Sequence, residues 1–454
     1  MRLSSCLISF MLLLLSCTQS SEKAQAQQKI SQFERAGLCD FLIDKSGVYH
    51  VVFQESPDIG KPIFIYYSSS TNKGTTWSKP VTLSNDNSGN GAGYPRILQD
   101  GRGQIYAIWK RYGNTAKHYP VQDPILDGPG GYEAGTLFYK VLAAGGWSSA
   151  VQLNEVEAYQ NSWFATVSPQ GNVHVFWTQY SYQSIKNGFM FMWYYCDLLR
   201  TVTLNGTALS AFVDLSTPPQ PAYEGGAPAS KEGAINLNGF VDAAGLPHFC
   251  YEDMPTGVQQ IKYYNGQTER IVYSYPLYQQ GNTFHHPAKL LVDEKGQDHL
   301  VFKPSGATLE SEQIWDINLV TNETTVLASI QKKGIKIISF QATQGPKGTM
   351  ALTFEAGGYS DNTEAFGMYY ENGNWKSVAL TNNASKEQFF SKEFRGLGGY
   401  RTSISALTRY NSQFGSVAYD AAGRKSMIMT IAAYWTTGGY STSSPSIVFI
   451  PIDK

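Results

Sequence analysis

The chain has 454 residues, 42% hydrophobic, 13% aromatic and only 16% charged, with a formal net charge of −1. No Lys/Arg-rich block appears, so composition argues against a nucleic-acid partner. A chain of this length has room for two or three ordinary domains, but one repeated pattern fills almost all of it, so a single large all-β domain is the simpler reading.

The N-terminus reads as a targeting segment. Arg2 precedes an apolar run over 7–15 that ends in Leu14-Leu15-Ser16-Cys17. The run is too short to span a bilayer as a mature helix. It resembles the bacterial lipoprotein signal, in which a cysteine after a small residue is lipidated and becomes the first mature residue. That resemblance implies a signal over 1–17, a lipid on Cys17 as the only membrane contact, and an outer-membrane lipoprotein on the cell surface or the periplasmic face. Residues 18–29 (TQSSEKAQAQQK) lack apolar periodicity and read as a polar tether. Cys39, Cys196 and Cys250 then remain, too few for a disulfide framework.

From residue 30 to 454 the chain repeats DEKGQDHLVF-like decapeptides. In one register these are DKSGVYHVVF (44–53), DGRGQIYAIW (100–109), SPQGNVHVFW (168–177), DAAGLPHFCY (242–251), DEKGQDHLVF (293–302), GPKGTMALTF (345–354) and DAAGRKSMIM (420–429). Glycine holds the fourth place in all seven, Asp opens five, and six end on an aromatic residue. Each reads as a tight turn, Asp binding backbone donors and Gly taking positive φ, that runs into an apolar strand. The glycines stand 51 to 75 residues apart, the size of one four-stranded unit. A lone four-stranded sheet cannot bury both faces, so the expected fold is a closed seven-bladed β-propeller of antiparallel blades.

The decapeptide is strand b of each blade, and the apolar stretch before it is strand a, lining the central channel. Strand c follows as IFIYYSS (63–69), TLFYKV (136–141), FMFMWYY (189–195), QIKYY (260–264), IWDINLV (314–320), FGMYY (366–370) and SIVFIPI (446–452). VTLS, AVQLN, ERIVYSY and WKSVALT supply strands d. The last blade has none after Ile452, so residues 28–35 are expected to complete it and remove the open edge.

Between strands c and d of blade one lies Ser70-Thr71-Asn72-Lys73-Gly74-Thr75-Thr76-Trp77. This segment resembles the Asp-box, or BNR repeat, of sialidase-like propellers, with Asn in the Asp place. Gly145-Gly146-Trp147 and Glu371-Asn372-Gly373-Asn374-Trp375 are degenerate relatives. The resemblance implies a carbohydrate-active propeller, and it covers roughly residues 36–452.

In such a fold the loops from d to a and from b to c meet around one mouth of the channel. His50, His174, His248 and His299 share the seventh repeat place, so inter-blade hydrogen bonding is their expected role. His285 and His286 precede strand a of blade five, and His118 and Tyr119 lie in the long insertion after strand b of blade two. The ends of strand b add Glu55, Lys110, Arg111, Tyr180, Glu252, Lys303 and Glu355, and the start of strand a adds Arg96. Bases, cations and aromatic rings together suit an anionic sugar.

A sialidase in this family carries three arginines on a carboxylate, a Tyr/Glu nucleophilic pair, six blades and an Arg-Ile-Pro ahead of its first box. Here only Arg35 lies between the signal and Ser70, and Arg96 of YPRI follows the box. Seven blades are similar instead to BNR-repeat polysaccharide lyases and related glycan-cleaving enzymes. Their chemistry is β-elimination beside a uronic acid: a cation neutralises the carboxylate, and His or Tyr moves the proton. The expected catalytic candidates are His285, His286, His118, Tyr119 and Tyr180. Arg96, Lys110, Arg111, Glu252 and Lys303 are the expected substrate contacts. The partner is an acidic oligo- or polysaccharide and the chain a monomer. No cofactor is expected, and no metal, because His285 and His286 are neighbours and on a strand would face opposite ways. A sialidase-like hydrolase and a non-catalytic glycan- or protein-binding propeller are the alternatives.

Overall fold

The computed structural model describes residues 28–33, 35–58, 61–84, 91–112, 134–154, 158–159, 163–187, 190–215, 232–254, 260–275, 288–304, 312–330, 335–357, 364–379, 388–395, 401–420, 422–437 and 440–451. They form seven antiparallel sheets in chain order around a central axis, a seven-bladed β-propeller. Blade one is Ala36–Ile43, Tyr49–Glu55, Phe64–Ser70 and Val81–Thr82, and blades two to six repeat this meander.

The repeated turn forms as its chemistry dictates. Asp44 Oδ1 accepts from the backbone N–H of Ser46 at 2.9 Å and of Val48 at 2.8 Å, with Gly47 at φ 83°. Asp293 does the same for Lys295 and Gln297, and Asp420 for Ala422 and Arg424. The Ser70–Trp77 turn is also structural. Ser70 Oγ donates to Asn72 Oδ1 at 2.9 Å and accepts from Gly74 N, while Asn72 Oδ1 also accepts from Thr76 N. Asn72 thus does an acceptor's work without charge, and Trp77 packs against the core shared by blades seven and one.

Among the described residues the buried apolar side chains fall into seven clusters, each lying between two consecutive blades. One face of every sheet is buried by the next sheet, and the ring is complete only when blade seven meets blade one.

That closure uses the N-terminus, as expected. Gln28 and Lys29 pair antiparallel with Phe449 and Val448. Ile30 N donates to Ile447 O at 2.8 Å, and Ile447 N to Ser31 Oγ at 3.0 Å. Glu55, fully buried, accepts from the N–H of Phe33 at 2.6 Å and of Gln32 at 3.3 Å. The closing segment is therefore pinned from blade one as well as paired to blade seven.

Blade three departs from the expected strand c. Strands Val173–Asn187 and Met190–Asn205 pair continuously from Val173↔Leu204 to Asn187↔Met190. Residues 190–195 of FMFMWYY lie on the extension of this hairpin, whereas Leu199, Val202 and Leu204 are the strand c residues packed in the blade. Blade seven also carries long strands: Arg401–Tyr419 pairs first with Gln388–Arg395 and then with Lys425–Thr437. All these extensions are b-to-c or d-to-a connections, on the end of the ring where the mouth was expected.

Candidate functional site

The mouth is built by the last residues of strand b. Among the described side chains of the repeat, the ninth and eleventh face the following blade and the tenth and twelfth the preceding one, as the shared clusters of Val301 with blade six and Phe302 with blade four show. The eleventh place holds Gln54, Lys110, Thr178, Glu252, Lys303, Glu355 and Thr430. Lys110, Glu252 and Glu355 are almost fully buried at the blade junctions. Glu355 accepts from Ser339 Oγ across its own blade. Lys303 is ion-paired to Glu312 at 2.5 Å and donates to Ile337 O at 3.2 Å, which makes it a strut between blades five and six. Arg111 lies with its guanidinium 4.6 Å from the Phe138 ring centre, braced on strand c.

One layer deeper, strand a supplies a second ring that the sequence reading identified only in part. Asp40 pairs with Val52, Arg96 with Ile108, Phe164 with Phe176, Asn238 with Cys250, Lys289 with Val301, Gln341 with Thr353 and Ser416 with Ile428. Their partners all hold the ninth repeat place, so the seven side chains stand on one rung around the axis. Asp40 Oδ1 accepts from Ser416 Oγ at 3.1 Å, and Oδ2 from Ile97 N at 3.0 Å. Asn238 Oδ1 accepts from Leu290 N at 2.8 Å. Each polar side chain of this kind fastens its strand to the next. Arg96 Nη1 is 3.9 Å from Asp40, with the Arg96 side chain still more than a third exposed.

Just above this rung, strand a bulges in blades one, two, four, six and seven. The bulges of blades two and four hold Tyr94 at φ 56° and Asn236 at φ 58°, non-glycine residues in the left-handed region. Bulges and such backbone gather beside functional sites because they re-aim side chains out of the ladder. Tyr94 is half exposed, and its N–H donates to Gln54 Oε1 at 3.3 Å.

Of the expected catalytic residues, His285, His286, His118 and Tyr119 lie outside the described residues. Tyr180 sits in strand Val173–Asn187 opposite Asp197, on the hairpin extension, and its side chain lies outside the description.

The repeat histidines are bonded away from the mouth. His50 contacts Tyr67 OH and Asp44, and His174 contacts Thr203 Oγ1, all within their own blades. His248 Nδ1 reaches Asp298 of blade five at 2.6 Å. His299 lies 3.0 Å from Asp316 of its own blade, and Asp316 accepts from Trp375 Nε1 of blade six. The expected inter-blade bond is thus direct for His248 and relayed through Asp316 for His299.

No protein-family model and no curated protein matches the chain. Solved structures do. The α-L-arabinanase of Penicillium chrysogenum in complex with arabinobiose is 11% identical, with a TM-score of 0.43, over 74% of this chain and 93% of that one. The NanB sialidase of Streptococcus pneumoniae is 12% identical, with a TM-score of 0.39, over 94% and 70%. The GH93 α-L-arabinofuranosidase of Fusarium graminearum is 10% identical, with a TM-score of 0.38, over 92% and 96%. At these identities and scores no residue role passes from them to this chain.

Chemically, the described part of the mouth offers cations on the channel floor, an exposed aromatic in the bulge beside Arg96 and buried carboxylates above. Among the described residues no group of three His, Cys, Asp or Glu is placed to hold a metal ion.

Proposed function

We propose that this propeller is a carbohydrate-active enzyme that cleaves an acidic, uronate-containing glycan at the channel mouth, by β-elimination. The observation that carries the reading is the grouping on blade two: Arg96 on the floor, Tyr94 exposed in the bulge next to it, and Lys110 and Arg111 at the end of the paired strand above. Cations neutralise a sugar carboxylate and so acidify the proton beside it, and an aromatic face holds the ring. Proton transfer is assigned to His285 or His286 with His118, Tyr119 or Tyr180, which in sequence flank the strands that build this mouth. The chain acts as a monomer anchored to the bacterial outer membrane by lipid on Cys17.

A hydrolytic reading rests on one different observation. Glu252 and Glu355, in blades four and six, are both 1% exposed, and buried carboxyl groups at a mouth are the raw material of acid-catalysed glycoside cleavage. A panel of uronate polysaccharides separates the two. Elimination leaves an unsaturated, ultraviolet-absorbing uronate on every new end, whereas hydrolysis yields reducing ends without that absorbance. Folded protein that binds these glycans and releases neither product is a binding platform, and the enzymatic reading is then wrong. Metabolic lipid labelling that is lost in Cys17→Ala tests the anchor.

A further inference from the structure

Several buried carboxylates among the described residues face a cation or imidazole: Asp298 faces His248, Asp316 faces His299, and Asp100 accepts from Arg102. Lys289 is different. It is 6% exposed, and among the described residues its ammonium has no hydrogen-bond or ion-pair partner, although its tip is not wholly cut off from solvent. A cation this deeply buried is unfavourable without a partner.

The groups around Lys289 do not supply the missing charge. It stands on the same rung as Arg96 and Asp40, and the charges of both act on its amine. The Asp40 carboxylate is already engaged by Ile97 N, Ser416 Oγ and Arg96. Cys250 feels both Lys289 and Glu252, but burial pushes its thiol up to about 12, and burial likewise raises that of Cys39, so neither is a thiolate. Burial, reinforced by Arg96, lowers the Lys289 amine to about 8 against the pull of Cys250 and Asp40, which leaves it mostly charged at neutral pH. Two cations therefore share the floor with one carboxylate, and one negative charge is missing.

We infer that Lys289 and Arg96 form an anion subsite on the floor of the channel that receives one carboxylate of a ligand entering end-first through the mouth. Depth decides the mode. Asp40 pairs with Val52, three residues before Glu55 at the rim, so the floor lies about 10 Å down the strand. A terminal sugar reaches that far, and the middle of a polysaccharide does not. Lys289 is thus the residue that selects a terminal uronate, a statement that rests on the acidic-glycan reading; a free carboxylate or phosphate would satisfy the same charge.

The test uses the full chain, calorimetry, and acetylation of Lys289 by acetic anhydride followed by mass spectrometry. Galacturonate and glucuronate disaccharides are compared with their neutral counterparts, with acetate and with phosphate. Wild-type protein is expected to prefer the uronates by about tenfold or more, and bound uronate to protect Lys289 from acetylation. Lys289→Met is expected to lose that preference at undiminished melting temperature, and Lys289→Arg to keep it. If Lys289→Met fails to fold, protection in wild type and retention in Lys289→Arg carry the test. A Lys289→Met variant that still prefers uronates, or uronate binding that leaves acetylation unchanged, overturns the subsite while the acidic-glycan reading stands. Protection by acetate and phosphate but by no uronate supports the anion site and overturns the acidic-glycan reading.

Discussion

His248 Nδ1 lies 2.6 Å from Asp298 Oδ2 across the boundary between blades four and five, and Tyr263 OH donates to the same carboxylate oxygen. Burial pulls the His248 pKa down, but Asp298, with Asp242 behind it, holds the imidazole above its ordinary value. The folded state therefore binds a proton that the unfolded chain holds less tightly.

The sign follows from that direction. The contribution of His248 is fully present below the unfolded histidine pKa and is lost as pH rises through the raised folded value. His248→Gln is expected to cost about 1.5–3 kcal/mol near pH 5.5, the range for a hydrogen bond to a charged group. Near pH 9 the cost is expected to be much smaller. Urea unfolding of both proteins at the two pH values checks it, and a cost independent of pH refutes the charged pair.

Glu55 couples the ring closure to pH in a different way. Burial pushes its carboxyl up to about 7, despite the N–H groups of Phe33 and Gln32 and the charge of Lys29. The folded chain keeps a proton that the unfolded chain gives up from about pH 4.5, so stability falls between about pH 4.5 and 7 and is flat above. Glu55→Gln, which has no carboxyl to titrate, is expected to flatten that slope. Glu55→Ala leaves two backbone donors without acceptors and is expected to cost about 2–4 kcal/mol, with faster proteolysis within residues 28–33. An unchanged pH slope in Glu55→Gln contradicts the titration.

Two glycines with nearly the same backbone angle separate turn conformation from packing. Gly171 is at φ 84°, and a Cβ there would sit 2.5 Å from Gly101 Cα in the neighbouring blade, where Gly101 N also donates to Gly171 O at 2.7 Å. Gly245 is at φ 83° with nothing within 4 Å of such a Cβ. Gly245→Ala is expected to cost only the positive-φ strain, about 1 kcal/mol, and Gly171→Ala at least about 2 kcal/mol more. Equal costs in thermal unfolding would show that blades two and three are not held this closely.

These contrasts show what a reader of the sequence can see. The Gly of every turn, and the Asp of five of the seven, are legible because a tight turn demands those residue types at that spacing. The floor ring is not legible, because seven positions on one rung carry seven different residues, from Asp40 and Arg96 to Lys289 and Ser416. Only the strand register aligns them, and the bulge above that rung shifts the register by a residue that nothing in the local composition marks. Lys289 in particular follows Pro287-Ala288 and reads as an ordinary strand start. Blade three misleads for the opposite reason: FMFMWYY has ideal strand composition, yet the blade is built by Leu199 to Leu204 further on.

The bulge at Tyr94 sets stability against use. A tyrosine at φ 56° is strained by about 1 kcal/mol or more relative to glycine. The residue is 51% exposed, so it gains little packing in return. Such a residue persists where its side chain has work outside the fold, and here it stands in the bulge just above Arg96. Tyr94→Gly is therefore expected to leave the protein as stable as wild type or more so by about 0.5–1 kcal/mol. The same change is expected to weaken binding of acidic oligosaccharides by about 1–2 kcal/mol, roughly five- to thirtyfold, through loss of the stacking face. Tyr94→Phe keeps the ring and is expected to retain the affinity. A Tyr94→Gly protein that is less stable than wild type, with unchanged glycan affinity, would show that the ring serves the fold and that the rim binds nothing through it.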